Sequence, residues 1–275
     1  MQLKRKHAPT LALVAVLSAL AAGAAYGADD LDARIAALKP GPDTDAIVLG
    51  RNITFDTPRY APGHVPGNAM SCASCHIGGG IQANASPWGG ITGVMPAYSG
   101  RSATVESLSQ RINNCFVRSE SGTSLAFDSR EMNGLLAYMA FLSRGVKGGE
   151  YVPGRGMGKI ENISKIAPDR VHGKAVYTQQ CASCHGANGE GMQAGGTFAI
   201  PPLWGDASYN IGASMARLSP AAAFIKHNMP LGKGDTLTDQ EAVDVAAYVT
   251  QQPRPDYAPK VDDWPKGGKP SDARY

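Results

Sequence analysis

The pentapeptide Cys-Ala-Ser-Cys-His occurs twice in this chain, and no other feature constrains the fold as strongly. Its cysteines and histidines are Cys72, Cys75 and His76 in the first copy and Cys181, Cys184 and His185 in the second. At this spacing both thiols can bond to the vinyl groups of one haem, and the histidine is then held beside the iron as its proximal ligand. Paired cysteines in an exported chain can also form disulfides. Two identical copies with adjoining histidines favour two covalently bound haem c groups instead.

The two halves of the chain resemble each other beyond these motifs. Each half closes with apolar residues at the i, i+3, i+4, i+7 spacing of a helix. These residues are Met132, Leu135, Leu136 and Met139 in the first half and Ala242, Val245, Ala246 and Val249 in the second. Asp128 with Glu131 and Thr238 with Glu241 are predicted to cap the two helices. Because few segments look like strands, we predict an all-α fold with two cytochrome c-like domains, each wrapped around one covalently bound haem.

The first 27 residues have the three-part pattern of a secretory signal. Lys4, Arg5 and Lys6 form a basic start, an apolar run follows, and the segment Ala-Tyr-Gly at 25–27 is the predicted cleavage site. The apolar run is short for a membrane span, so an uncleaved anchor is the weaker alternative. We therefore expect a periplasmic protein with no membrane span after signal removal. The three basic residues match the formal net charge of +3, so the mature chain has no basic field that would indicate nucleic acid binding.

The composition between and after the two halves predicts the domain boundaries. The stretch between them is rich in glycine and proline, and the chain beyond residue 252 is rich in proline, lysine and aspartate, which is typical of linkers and irregular tails. The predicted segments are a signal peptide (1–27), a first cytochrome c domain (28–150), a linker (151–169), a second cytochrome c domain (170–252) and a C-terminal tail (253–275).

The residue on the second side of each iron decides the chemistry of that haem. The candidates in the second half are Met192, Met215, His227 and Met229. Met229 lies between Asn228 and Pro230, and this Asn-Met-Pro run resembles the distal-ligand loop of small monohaem cytochromes c. An isolated methionine is more often core filler. Because an iron must be capped here, we predict Met229 as the ligand, which raises the potential and closes the iron to outside ligands.

No Met-Pro pair stands at the matching place in the first half, where the unpaired Cys115 occurs instead. Val105, Leu108, Ile112 and Phe116 are predicted to share a helical face beside it. A thiolate is a soft donor that suits haem iron and lowers its potential, so Cys115 is a candidate ligand. A buried inert thiol is the simpler alternative, and His64 is the main competing ligand.

Arg111 and Arg118 flank Cys115 at positions i−4 and i+3, which places both guanidinium groups on its side of a helix. Two fixed cations beside a reactive sulfur would bind a small dianion well. The alternative is that these arginines pair with haem propionates, and the sequence leaves both interpretations open.

Three segments together resemble those of dihaem thiosulfate dehydrogenases, the tetrathionate-forming family of cytochrome c type. They are Arg-Ile-Asn-Asn-Cys-Phe-Val-Arg-Ser at 111–119, Pro-Gly-Asn at 66–68 and Asp-Trp-Pro-Lys-Gly-Gly-Lys-Pro at 263–270. The resemblance covers nearly the whole mature chain. It implies an enzyme that joins two thiosulfates into tetrathionate, with many members also running the reverse reaction, and that passes two electrons on.

The resemblance also implies roles for individual residues. The implied iron ligands are His76 and Cys115 at the active-site haem and His185 and Met229 at the electron-relay haem. Arg111 and Ser119 match positions near the family's substrate pocket, and Arg118 is a further candidate beside them. Some members carry a lysine that can exchange with the second-haem methionine, whereas this chain has Asn228 there.

The implied partners are a small anionic substrate and a soluble or dedicated cytochrome c that accepts electrons. Two other classes stay open on the sequence: a dihaem electron carrier without catalysis, and a sulfur-oxidation cytochrome that conjugates thiosulfate to a partner protein. A carrier gains nothing from a labile thiolate and adjacent arginines, so Cys115 distinguishes the enzyme from the carrier.

Overall fold

The structure is a computed structural model that describes residues 28–65 and 68–275. The predicted signal peptide at 1–27 lies outside the described residues, as do Pro66 and Gly67 of one family-like segment. In the part of the chain that is described, no helix has the length and apolar character needed to cross a membrane.

The first half is mainly helical, as predicted. Its helices are α1 (Ala28–Ala36), α2 (Pro42–Phe55), α3 (Thr57–Tyr60), α4 (Ile77–Gly80), α5 (Leu108–Arg118) and α6 (Arg130–Leu142), with 3-10 turns at Cys72–Ser74 and Ile91–Gly93. Helix α5 begins at a capping box in which the Ser107 hydroxyl accepts from the Gln110 N–H and the Gln110 side chain accepts from the Ser107 N–H.

The cap predicted for the first closing helix is wrong by one residue. Ser129, and not Asp128, precedes α6, and its hydroxyl accepts a hydrogen bond from the Met132 N–H. Both residue types cap helices well, so the pattern alone could not separate two adjacent candidates. The predicted apolar face of α6 is confirmed at Met132, Leu135 and Met139, which are buried, whereas Leu136 is half-buried.

Helix α2 packs across α6 and builds the core of the first half with it. The largest fully buried side chains there include Ile53 on α2 and Met132, Leu135 and Tyr138 on α6. The Tyr138 hydroxyl donates to the Gly79 carbonyl oxygen at 2.8 Å, which ties the closing helix to the segment just after the first haem motif. The core therefore fixes where the first motif lies.

The second half repeats this arrangement with α7 (Arg170–Gln180), α8 (Ala182–His185), α9 (Leu218–Asn228) and α10 (Asp239–Thr250). The Asp169 carboxylate caps α7 by accepting from the N–H groups of Val171 and His172. The predicted capping box of Thr238 and Glu241 at the start of α10 is confirmed. Helix α10 packs on both α7 and α9, and its predicted apolar face is buried.

The described residues contain two short antiparallel hairpins. Strand β1 (Ala97–Ser99) pairs with β2 (Thr104–Glu106), and β3 (Met192–Ala194) pairs with β4 (Thr197–Ile200). Val105 lies on β2 and is 63% exposed, so its predicted place on the apolar face of the following helix is wrong. The helix begins three residues later, at Leu108, after the capping box at Ser107, which explains the difference.

The predicted linker and tail both contact the two halves. In the linker, the carbonyl oxygens of Gly154 and Gly156 accept hydrogen bonds from the N–H groups of Asn84 and Ser86, each at 2.7 Å. The tail contains a 3-10 helix at Ala258–Asp262 and then reaches the first half, where the Trp264 N–H donates to the Arg101 carbonyl oxygen at 2.7 Å.

Candidate active site

A cavity of about 310 Å³, here called the first-half cavity, lies beside the first Cys-Ala-Ser-Cys-His motif. Seven residues predicted for the first haem and its substrate site line it: Cys72, Cys75, His76, Arg111, Cys115, Arg118 and Ser119. Apolar side chains complete much of its wall, among them Trp88, Ile91, Leu108, Phe116 and Leu135. Met215 of the second half and Met157 of the linker also reach it, so the cavity is closed by more than its own domain.

The imidazole of His76 is oriented by the backbone. Its Nδ1 lies 2.8 Å from the carbonyl oxygen of Ser86, so Nδ1–H is the donor and Nε2 keeps its lone pair for a metal. Burial lowers the pKa of His76 to about 4, against an opposing effect of the bond to Ser86. The ring is therefore neutral at physiological pH, which is the form that binds iron.

The two cysteines of the first motif are half-buried free thiols. All five cysteines of the chain lie in its described part and none is in a disulfide. Burial is the largest cause that raises the pKa of Cys75 to about 12 and that of Cys72 well above its ordinary value. Nowhere in the described residues do three or more His, Cys, Asp or Glu side chains cluster as they would around a bare metal ion. Two free thiols and one tied imidazole around an apolar cavity fit a covalently held haem.

Helix α5 brings Cys115 to the wall of this cavity. Burial raises the pKa of the Cys115 thiol, and the Arg111 guanidinium, as the main opposing influence, lowers it in part. His64, the competing ligand candidate, does not line the cavity, and its Nδ1 lies 3.3 Å from both the carbonyl oxygen and the hydroxyl of Thr123. The geometry therefore offers Cys115, and not His64, to a group held by His76.

The two arginines that flank Cys115 have different surroundings. Arg111 is exposed at the cavity, and within the described ranges its guanidinium has no hydrogen bond or ion pair. Arg118 instead donates from both Nη atoms to the Asp263 carboxylate of the tail, at 2.9 and 2.7 Å. The sequence predicted that both arginines lie on one side of α5. It did not predict the ion pair of Arg118 with Asp263, because Asp263 lies far away in the chain.

Three further charged residues line the cavity without having been predicted from the sequence. Arg101 comes from the turn between β1 and β2, and Arg155 comes from the glycine-rich linker. Glu120 is 3% exposed, and its Oε1 accepts from Cys72 Sγ at 3.3 Å and from the Thr57 hydroxyl at 3.4 Å. Burial raises the pKa of Glu120 to about 7, although these two hydrogen bonds lower it.

The second motif has the same local arrangement as the first. The Nδ1 of His185 lies 3.0 Å from the carbonyl oxygen of Pro201, which again leaves Nε2 free, and burial lowers the pKa of the ring. Tyr177, Trp204 and Tyr248 form an aromatic cluster beside the motif, with ring centroids 5.1 to 5.8 Å apart. Cys181 and Cys184 are free, as the first pair is.

The structure distinguishes the four ligand candidates of the second half by their surroundings. Met192 on β3 is 49% exposed, and Met215 lines the first-half cavity. The His227 ring is engaged by Asp235 at Nδ1 and by the Lys159 carbonyl oxygen at Nε2. Met229 follows the last residue of α9 and is half-buried, which leaves it as the candidate in the second half without a competing engagement.

Comparison with known proteins covers both halves of the chain. Residues 64–147 match the family model described as SoxA/TsdA, cytochrome c domain, and residues 171–253 match the cytochrome c model. The thiosulfate dehydrogenase of Allochromatium vinosum is 46% identical over 226 residues, covering 80% of this chain and 83% of that protein. The thiosulfate dehydrogenase of Psychrobacter arcticus is 42% identical over 230 residues, covering 83% of this chain and 69% of that protein.

A solved structure is also similar along most of the chain. The as-isolated thiosulfate dehydrogenase of Marichromatium purpuratum superposes with a TM-score of 0.75 at 38% identity. The match covers 80% of this chain and 48% of that one, so the chain spans about half the length of the solved protein.

Proposed function

The chain belongs to the thiosulfate dehydrogenase family, and we propose that it joins two thiosulfate anions into tetrathionate and passes two electrons to an acceptor cytochrome. Its two cytochrome c domains are the basis of haem electron transfer. The observation that carries the proposal is that Cys115, Arg111 and the first haem motif line one cavity. A carrier without catalysis needs neither a free thiol nor an unpaired arginine at that place.

Each haem would be held by one motif. Cys72 and Cys75 are the attachment thiols in the first half, with His76 and Cys115 as iron ligands; Cys181 and Cys184 are the attachment thiols in the second, with His185 and Met229 as ligands. When bound, each haem accepts one electron, so the pair can take up both electrons that are released when two thiosulfates join. The backbone bonds to His76 and His185 hold the two rings in the tautomer that this requires.

The chain's own chemistry centres on Cys115. Its thiolate forms a sulfur–sulfur bond with the outer sulfur of one thiosulfate, and the two electrons released in that step would be taken up by the two haems, one electron each. The second thiosulfate then attacks the same outer sulfur, releases tetrathionate and restores the thiolate. Arg111 and Arg118 both lower the pKa of the Cys115 thiol against the effect of burial, and so favour the form that reacts.

Charge repulsion is the main barrier to joining two dianions, and the cavity opposes it with cations. Arg101, Arg111, Arg118 and Arg155 line the same cavity. Cations that line a cavity partly shielded from water stabilise the approach of two anions better than mobile ions in water. Ser119, one helical turn after Cys115, lines the cavity as well and can donate its hydroxyl to an anion.

We place this activity in the periplasm. The support is the three-part pattern of the first 27 residues and the cytochrome c type of the two domains, because such haems are attached outside the cytoplasm. The acceptor is a soluble or dedicated cytochrome c.

The deciding experiment compares haem-loaded wild type with Cys115→Ala and with Asn114→Ala. Asn114 lines the same cavity one residue away, so its variant controls for disturbance of α5. Thiosulfate-dependent reduction of ferricyanide and the tetrathionate formed are measured, together with haem content. We expect full activity loss in Cys115→Ala with both haems retained, and activity within a few-fold of wild type in Asn114→Ala. A wild type whose haems exchange electrons but which makes no tetrathionate would favour the carrier or the conjugating cytochrome.

A further inference from the structure

We propose that Asp263 of the C-terminal tail is a positioning residue, which holds the Arg118 guanidinium so that its Nε–H meets an oxyanion in the first-half cavity. This inference rests on the proposed function, because that function supplies the oxyanion as thiosulfate. It gives the tail a role at the active site, although Asp263 is remote from Cys115 in the sequence.

The contact between the two residues is tight and enclosed. The Asp263 carboxylate accepts from Arg118 Nη1 at 2.9 Å and from Nη2 at 2.7 Å, a two-point contact that fixes the plane of the guanidinium. The side chain of Asp263 is 5% exposed and that of Arg118 is 12% exposed. The Tyr257 ring lies 4.4 Å below the guanidinium carbon, and the Tyr275 hydroxyl donates to the same carboxylate at 2.5 Å.

The third nitrogen of Arg118, Nε, has no hydrogen-bond partner among the described residues. This Nε is fully buried, while Arg118 as a whole lines the cavity. A buried cationic N–H without an acceptor is costly, so the arrangement calls for an acceptor that the protein does not itself provide. An oxyanion in the cavity supplies it. A haem propionate has the same oxyanion chemistry, and the test below separates these two sources.

Charge alone would not explain an acidic residue at this place. A carboxylate near the cavity lowers the positive potential that attracts a dianion, and it faces Arg101 as well, whose Nη1 lies 3.9 Å away. Orienting Arg118 is a benefit that can outweigh this lost charge. The two accounts therefore predict opposite changes of anion affinity in Asp263→Asn. Anion binding weakens if Asp263 positions Arg118, and it tightens if Asp263 only lowers the positive potential of the cavity.

A second contact of the tail provides the matched control. Asp272 accepts from Arg217 Nε at 2.8 Å and from the Ser219 N–H at 2.9 Å, which anchors the tail to the second half. Neither Arg217 nor Asp272 lines the first-half cavity. Asp272→Asn thus loosens the tail but leaves the contacts of Arg118 in place. It therefore shows how much a loosened tail by itself changes KM.

The experiment measures kcat and KM for thiosulfate in wild type, Asp263→Asn, Asp263→Glu and Asp272→Asn, with the midpoint potentials of both haems. We expect Asp263→Asn to raise KM about tenfold, the factor for one hydrogen bond to a charged group. Asp263→Glu should recover part of this loss, and Asp272→Asn should change KM less than about twofold.

Three outcomes would overturn the inference. The first is an equal rise of KM in Asp263→Asn and Asp272→Asn, and the second is a lower KM in Asp263→Asn. The third is a shifted potential of the first haem in Asp263→Asn with unchanged KM, because that result would assign Arg118 Nε to a haem propionate. If wild type fails to turn over thiosulfate, the proposed function fails. Thiosulfate affinity, read from the absorbance change of the oxidised haems in wild type and Asp263→Asn, then still decides the positioning role.

Discussion

A Cβ atom added to Gly50 would lie 2.0 Å from the carbonyl oxygen of Gly134, which is far inside van der Waals contact. The backbones of α2 and α6 therefore touch where the two helices cross. In the second half, a Cβ at Gly173 would lie 2.0 Å from the carbonyl oxygen of Asp244, so α7 and α10 cross in the same manner. This shared crossing is the clearest structural sign that the two halves are repeats.

Gly50→Ala is expected to destabilise the first half, because the new methyl group must push apart two helices that contact through backbone. Overpacking of this kind costs about 1–3 kcal/mol. Gly100→Ala is the control, since a Cβ there meets nothing within 4 Å, and it should change stability by less than about 0.5 kcal/mol. The free energy of unfolding is measured by guanidinium titration. Equal stability of the two variants would contradict the close crossing.

The ligand assignment of the first haem predicts a spectroscopic difference between Cys115→Ala and His64→Gln. Replacing Cys115 should change the low-spin signals of the first haem in electron paramagnetic resonance and raise its potential, because a thiolate ligand is lost. Replacing His64 should leave both unchanged, since its ring bonds to Thr123 outside the cavity. A spectrum altered by His64→Gln alone would reverse the assignment.

Arg111→Gln is expected to weaken thiosulfate binding, because this cation is unpaired at the cavity in the described structure. We expect KM to rise by roughly 10-fold or more, as when a charge-assisted hydrogen bond is lost, and its dependence on ionic strength to decrease. Arg130→Gln removes the same charge from an exposed position at the start of α6 that does not line the cavity. If both variants changed KM alike, the effect would come from the net charge of the protein and not from a direct contact between Arg111 and the anion.

Covalent catalysis by Cys115 predicts an adduct that can be trapped from the product side. The Cys115 thiolate attacks a central sulfur of tetrathionate, expels one thiosulfate and retains a thiosulfate-sized group through a new sulfur–sulfur bond. Mass spectrometry of the peptide that contains Cys115 should show this gain, and a reducing agent should remove it. The same peptide from Cys115→Ser is the control. An unmodified wild-type peptide in protein that turns over would argue against a covalent step.

The sequence predicted those parts of the molecule that are determined locally. Both haem motifs, the capping box at Thr238 and the buried faces of α6 and α10 depend on residues within a few positions of each other. The cap of α6 is Ser129 and not the predicted Asp128, which shows that such patterns locate a helix end only to within a residue or two.

The contacts that shape the cavity are of another kind. Helix α2 carries no motif, yet its Gly50 sets the crossing of the first half, and Asp263 reaches Arg118 across most of the chain. Arg155 enters the cavity because Gly154 and Gly156 pair with the segment after the first motif. Such pairings depend on the folded path of the linker and tail, and no periodicity in the sequence reports that path.

The pair formed by His172 and the buried Asp244 predicts a pH-dependent stability of the second half. The hydrogen bond to Asp244, at 2.8 Å, is the largest cause that raises the pKa of His172 above its ordinary value of 6.5. Asp169 and Glu241 act in the same direction, and the pKa of Asp244 is lowered, so Asp244 stays charged in this range.

Because the folded pKa of His172 exceeds the unfolded one, its stabilisation is complete below about pH 6.5 and is lost as pH rises through the folded value. The midpoint of thermal unfolding of wild type should therefore exceed that of His172→Gln at pH 6, and the difference should shrink toward about pH 9. Asp244→Asn removes the partner and should abolish this trend. A difference between wild type and His172→Gln that stayed constant or grew with pH would show that the charge of His172 does not stabilise the fold.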